Sequence, residues 1–226
     1  MLLTLAISLT LATVHSGGEA LMRISILVLV FCALTIAITS QSVQADGATV
    51  VEVFSAVDKG DIHLAGVDMF VARPIKGKLG MSAFALVVPG WAQVYAGPTY
   101  APKDWLVLGV SGGVEQVANG NLGLRFATSA WAGYKKFSLL AIGEFNPDSF
   151  TGDTSGVWFD LTPRYQAAPW LTLGAKWRRG VGAGPLVELA LPTKPSGTIW
   201  FSWMPGEPER LIGHGGRMLL GVQGSF

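Results

Sequence analysis

Apolar and polar residues alternate along most of the chain beyond residue 48. The C-terminal run is the clearest case. Met218, Leu220, Val222 and Phe226 fall on one face, and Arg217, Gly221, Gln223 and Ser225 on the other. A period of two marks a β-strand with one apolar and one polar face. Within 155–166, Val157, Phe159, Leu161, Pro163 and Tyr165 oppose Trp158, Asp160, Thr162, Arg164 and Gln166. Segments 104–117, 121–134 and 170–179 alternate in the same way, and Gly, Pro, Asn and Asp separate one segment from the next. The pattern predicts twelve strands, at about 49–58, 62–72, 79–88, 91–100, 104–117, 121–134, 136–146, 155–166, 169–179, 184–191, 197–204 and 216–226. Segments 62–72 and 79–88 alternate least well, so ten strands with 46–60 as a tail is the alternative count. Residues 79–102 form an uncharged run of 24, long enough for a membrane helix. Pro89-Gly90 at its centre predicts a hairpin instead. Pro163 and Pro185 fall inside predicted strands, where each removes a ladder donor.

Composition decides what those faces touch. Half the residues are hydrophobic, 14% are charged and the mean hydropathy is +0.44. That is too apolar for an average soluble domain, and too interrupted for a helical membrane protein. A soluble sandwich would show water a charge-rich face. Here the second face mixes charges with Gly, Ser, Thr and Trp, which suits a crowded barrel interior. The formal charge of +1 gives no case for nucleic-acid binding.

The N-terminus reads as a targeting segment. Met22-Arg23 precedes the apolar run 24–39 and then Val43-Gln44-Ala45. A basic start, an apolar stretch and a small-x-small end describe a secretory signal peptide, with cleavage expected after Ala45. Residues 1–21 hold a second apolar run and are expected to precede the true start at Met22. Cys32 lies in the removed segment, so the mature chain has no disulfide or cysteine metal site.

Strands that alternate in this way and stop on the terminal aromatic Phe226 resemble those of small bacterial outer-membrane β-barrels. The resemblance implies an all-β fold over 46–226: a transmembrane antiparallel up-and-down barrel in the outer membrane of a Gram-negative cell. It implies outer-membrane lipids, periplasmic chaperones and the barrel-assembly machinery as partners, and favours a monomer. With the C-terminus on the periplasmic side, outward Tyr100, Tyr134, Phe137, Tyr165 and Phe226 share one rim. Outward Phe145, Trp177 and Trp203 share the other. Two such girdles are expected where a barrel meets the two membrane interfaces.

The same parity defines a lumen. Asp68, Glu115, Glu144, Asp160 and Glu188 face Arg125, Arg164, Lys176, Arg178 and Arg217, acids and bases in balance. Asp160 and Lys176 are expected to lie opposite each other across a hairpin centred on residue 168, a stabilising cross-strand pair. Tyr95, Trp131, Trp158 and Trp200 also point inward, and their faces could stack on a solute. Trp91, Trp105 and Trp170 are placed inward at strand ends. His63 and His214 have no nearby serine in any hydrolase-like motif, and Gly180-Val181-Gly182-Ala183-Gly184 reads as a turn. No enzyme, cofactor or metal site is therefore expected. The function these features predict is a small-solute channel or binding barrel. The alternatives are a filled structural barrel without transport and a soluble periplasmic ligand-binding barrel. Outward Leu, Val, Phe and Trp weigh against the last, because they would leave a very large exposed apolar surface in water.

Overall fold

Each alternating segment becomes a strand, and each strand hydrogen-bonds to the next in sequence. The computed structural model describes residues 48–58, 61–117, 122–147, 156–179, 182–193, 196–204 and 218–225. The strands are β1 (Ala48–Asp58), β2 (Asp61–Lys76), β3 (Leu79–Val88), β4 (Trp91–Lys103), β5 (Leu106–Val117) and β6 (Leu122–Tyr134). They continue as β7 (Phe137–Phe145), β8 (Val157–Ala168), β9 (Leu171–Arg178), β10 (Gly182–Leu191), β11 (Ser196–Trp203) and β12 (Met218–Ser225). β12 returns to β1, with Val50 opposite Ser225 and Val57 opposite Met218, and the sheet closes into a barrel. Closure leaves no unpaired edge, which a strand in lipid requires.

The strand count is twelve rather than ten, because β1 pairs along its length with both β12 and β2. The uncharged run 79–102 is the β3–β4 hairpin, turned at Pro89–Gly90, where Gly90 takes φ +79°. That left-handed backbone is open to glycine at little steric cost. Pro163 and Pro185 do lie within strands, both exposed on the outer face. The Pro185 carbonyl accepts a 3.0 Å hydrogen bond from the Ser202 hydroxyl.

Even strand number puts the start of β1 and the end of β12 at one rim, here the terminal rim. The turns after β2, β4, β6, β8 and β10 share that rim. The opposite strand ends form the distal rim, and the two longest connections, 146–156 and 204–217, join strands that end there. Burial runs opposite to that of a soluble protein. Val110 (58% exposed), Leu122 (59%) and Leu124 (51%) face out, whereas Arg125 (6%) and Glu144 (2%) are enclosed. The targeting segment 1–45, Cys32, His214, Arg217 and Phe226 lie outside the described residues.

Candidate functional site: the barrel lumen

Inward side chains divide the lumen into two unlike halves. Toward the terminal rim the cross-strand rows are small and polar: Ser82 faces Gly97, Gly80 faces Thr99, and Gly109 faces Ser129. Toward the distal rim they are large. Phe54, Leu86, Val88, Leu186, Trp200, Met204 and Leu219 form one buried cluster, with Phe84 and Trp91 against it. These residues come from β1, β3, β10, β11, β12 and the residue after β11, so they meet across the lumen. A Cβ at Gly221 would run into the Trp200 indole, and that glycine lets the ring lie flat over β12. The result is a plug of apolar side chains at one end and a vestibule at the other.

Two charged clusters complete the closed half. In the first, the Arg125 guanidinium donates to both Glu115 (2.9 Å) and Glu144 (2.6 Å). The Trp91 indole and the Asn146 amide also donate to Glu115. The Gln93 amide (3.2 Å) and the Tyr95 hydroxyl (3.0 Å) donate to Glu144. β4 and β7 are not neighbours in the sheet, so those last two bonds span the interior. In the second cluster, Asp160 accepts from Arg178 (2.6 Å), Lys176 (3.1 Å) and the Thr162 hydroxyl (2.7 Å). The Arg178 guanidinium stands 5.6 Å from the ring centres of both Phe54 and Trp158, and Lys176 lies 5.7 Å over Trp200. Every carboxylate here meets a cation and at least one further donor, the condition under which buried charge is tolerated. A third pair, Arg164–Glu188 at 2.8 Å, lies in the vestibule half and is more open, at 24% and 14% side-chain exposure.

Tyr95, Glu115, Arg125 and Glu144 form the first cluster, and Asp160, Lys176 and Arg178 the second. Trp158 lies between them, opposite Glu144 in register and beneath Arg178. Trp200 is in the plug, while Trp131, 40% exposed, borders the vestibule. At the rims, Tyr134 pairs with Phe137, and the Phe137 and Tyr165 rings are 4.8 Å apart. Tyr100 lies at the same rim, and Phe145, Trp177 and Trp203 lie at or next to the distal strand ends.

Two expectations need correction. Asp160 is directly opposite Arg178, not Lys176. The β8–β9 turn is Pro169–Trp170, beyond the expected centre at residue 168. The pairs from Asp160–Arg178 to Gln166–Thr172 are centred on residue 169, which moves the partner of Asp160 by two residues. The irregularity between Gln166 and Ala168 changes the register by only one. Lys176 reaches Asp160 along the diagonal instead. Trp105 (50% exposed) and Trp170 (59%) lie in turns, not in the lumen. The sequence reading also missed Glu52, which faces Asp68 and Gln223, and the inward Phe54, Leu186 and Leu219. Leu219 was detectable as the one large apolar residue on the polar face of the last strand.

Because Lys176 and Arg178 share one carboxylate, both should be energetically coupled to it. Double-mutant cycles pairing Asp160→Asn with Lys176→Met, and with Arg178→Met, are expected to show non-additive terms of about 0.5–3 kcal/mol. Folding into vesicles across a urea series reads them. Additivity in the lysine cycle would mean that the diagonal contact carries no energy.

No family model matches the chain, and no curated protein does. A structure solved in a study of the in-meso crystallisation of membrane proteins is similar at TM-score 0.51 and 16% identity, over 80% of this chain and 83% of that one. The KdgM porin in complex with disordered oligogalacturonate is similar at TM-score 0.47 and 13% identity, over 78% and 99%. The NanC porin in a rhombohedral crystal form is similar at TM-score 0.47 and 10% identity, over 77% and 97%. At such identities the likeness is one of fold: a closed, antiparallel β-barrel.

Proposed function

We propose that the chain is a bacterial outer-membrane β-barrel, without enzymatic activity, that passes or binds a small solute. A continuous outward surface of exposed Leu, Val, Phe and Trp supports the membrane setting, because water would not sustain it. The termini face the periplasm in this reading, and the aromatic rims sit at the two interfaces. The observation that carries the solute role is the asymmetry of the lumen. A vestibule lined by Gly, Ser and Thr, with Trp131 and the Arg164–Glu188 pair on its wall, leads to a constriction made of side chains rather than of backbone. Indole faces and a partly open ion pair suit a small polar or aromatic solute. Periplasmic chaperones and the barrel-assembly machinery would deliver such a chain as a monomer.

A filled structural barrel is the second reading. Its support is the full enclosure of Leu219, Thr162 and Ser202, each at 0% exposure. Planar bilayers separate the two. A conduit should give small, discrete conductance steps, enlarged by Trp200→Ala or Trp158→Ala, which shorten the plug and its neighbour. A wild type that is silent, and stays silent after both truncations, favours the filled barrel.

A further inference from the structure

The terminal rim is rich in lysine. Three turns of the terminal rim carry Lys76, Lys78, Lys103, Lys135 and Lys136, all exposed, against one acid, Asp104. In the interior, Glu115, Glu144, Glu188 and Asp160 are held by Arg125, Arg164, Lys176 and Arg178, away from the rim lysines.

The β6–β7 turn is the most telling. Two residues, Lys135 and Lys136, join Tyr134 to its cross-strand partner Phe137. Lys135 takes φ +53° and is the one non-glycine residue with positive φ among the described residues. A two-residue hairpin turn with positive φ at its first central residue alone favours glycine there. A lysine pair here sets the usual turn chemistry aside and retains charge. The Lys135 ammonium lies 5.2 Å from the Tyr134 ring centre, and that ring is on the outer wall at 67% exposure. The cation is therefore on the bilayer side of the rim, not in the mouth of the lumen. Nearby, the Lys78 ammonium donates to the Pro102 carbonyl at 2.9 Å and ties two lysine turns together.

We propose that the terminal rim is a docking surface for net-anionic phospholipid headgroups in the adjoining leaflet. The ammonium groups meet the phosphates, while Tyr100, Tyr134 and Phe137 lie against the glycerol and upper acyl region. The proposal rests on the membrane reading above. Its recognition is electrostatic, so it is expected to favour phosphatidylglycerol over phosphatidylcholine and to weaken with salt.

The test uses the full chain, folded in nonionic detergent and offered equal amounts of the two lipids, with retained lipid read by native mass spectrometry. Wild type should retain phosphatidylglycerol preferentially. Each lysine neutralised should reduce that retention by up to roughly fivefold. Lys78→Gln, Lys103→Gln, Lys135→Gln and Lys136→Gln combined should abolish the preference, and the matching Lys→Arg set should keep it. Circular dichroism checks that each variant is folded, and single Gln variants serve if the combination is not. Equal retention of both lipids, or an unchanged preference in folded Gln variants, overturns the proposal. So does displacement of the lipid by free glycerol 3-phosphate at equal concentration, which would make the rim a solute site. A wild type that inserts into vesicles of neither lipid instead defeats the membrane reading.

Discussion

Arg125→Met is expected to destabilise the folded barrel by about 3–5 kcal/mol, the range for removing one partner from a buried ion pair. Arg125 is the cation in contact with both Glu115 and Glu144, whose side chains are only 8% and 1% exposed. Without it, two carboxylates stay enclosed with neutral donors alone: Trp91 and Asn146 on one, Gln93 and Tyr95 on the other. Neutral hydrogen bonds to an ionised group contribute less than a bridging guanidinium, and the two acids repel each other. Glu144→Gln added to Arg125→Met should therefore recover part of the loss. Arg164→Met is the control. Its pair with Glu188 is more open to solvent, so about 0–1 kcal/mol is expected there. Urea titration of folding in vesicles measures all three, and an Arg125 effect no larger than the Arg164 effect would remove the first cluster from the barrel's stability.

That cluster shows how far sequence can be read. Period two assigned Glu115, Arg125 and Glu144 to the interior, because each lies on the polar face of an alternating strand. It carried no information on which acid meets which base. Gln93 and Glu144 are 51 positions apart, on strands that touch only through the lumen. The plug was hidden for a related reason. Phe54, Leu186 and Leu219 point inward, onto a face that alternation marks as polar. In a narrow barrel both faces take apolar side chains, one against lipid and the other against residues from across the lumen. The shift from Lys176 to Arg178 opposite Asp160 has a smaller origin, the place of the turn. A hairpin tip at Pro169–Trp170 rather than at residue 168 moves the partner by two positions, which keeps every side chain on its face and so leaves no mark on the alternation. What did survive from sequence was the strand number and the inside–outside parity, since repeated alternation reinforces both.

Parity leads to the second large effect, at the outer wall. Val110 lies near the middle of β5, is 58% exposed and faces Thr128 across the outer surface. Val110→Arg is expected to cost about 2–4 kcal/mol, the range for a basic residue at the bilayer midplane. Leu173 also faces outward at 42% exposure, but it is the third residue of β9 and closer to the Pro169–Trp170 turn. Long basic side chains near an interface can reach water, so Leu173→Arg should cost less than Val110→Arg. Thr172 points the other way. It lies directly opposite Glu188 inside the barrel, so Thr172→Arg brings a cation to an existing acid in the more open half. Its penalty should be the smallest of the three. The order Val110, Leu173, Thr172 would be measured by urea-dependent folding into lipid vesicles. It depends on depth and face together, and neither a soluble barrel nor an inverted parity reproduces it. In a soluble barrel an exposed Val110→Arg would be nearly neutral, and with inverted parity Thr172→Arg would carry the lipid penalty.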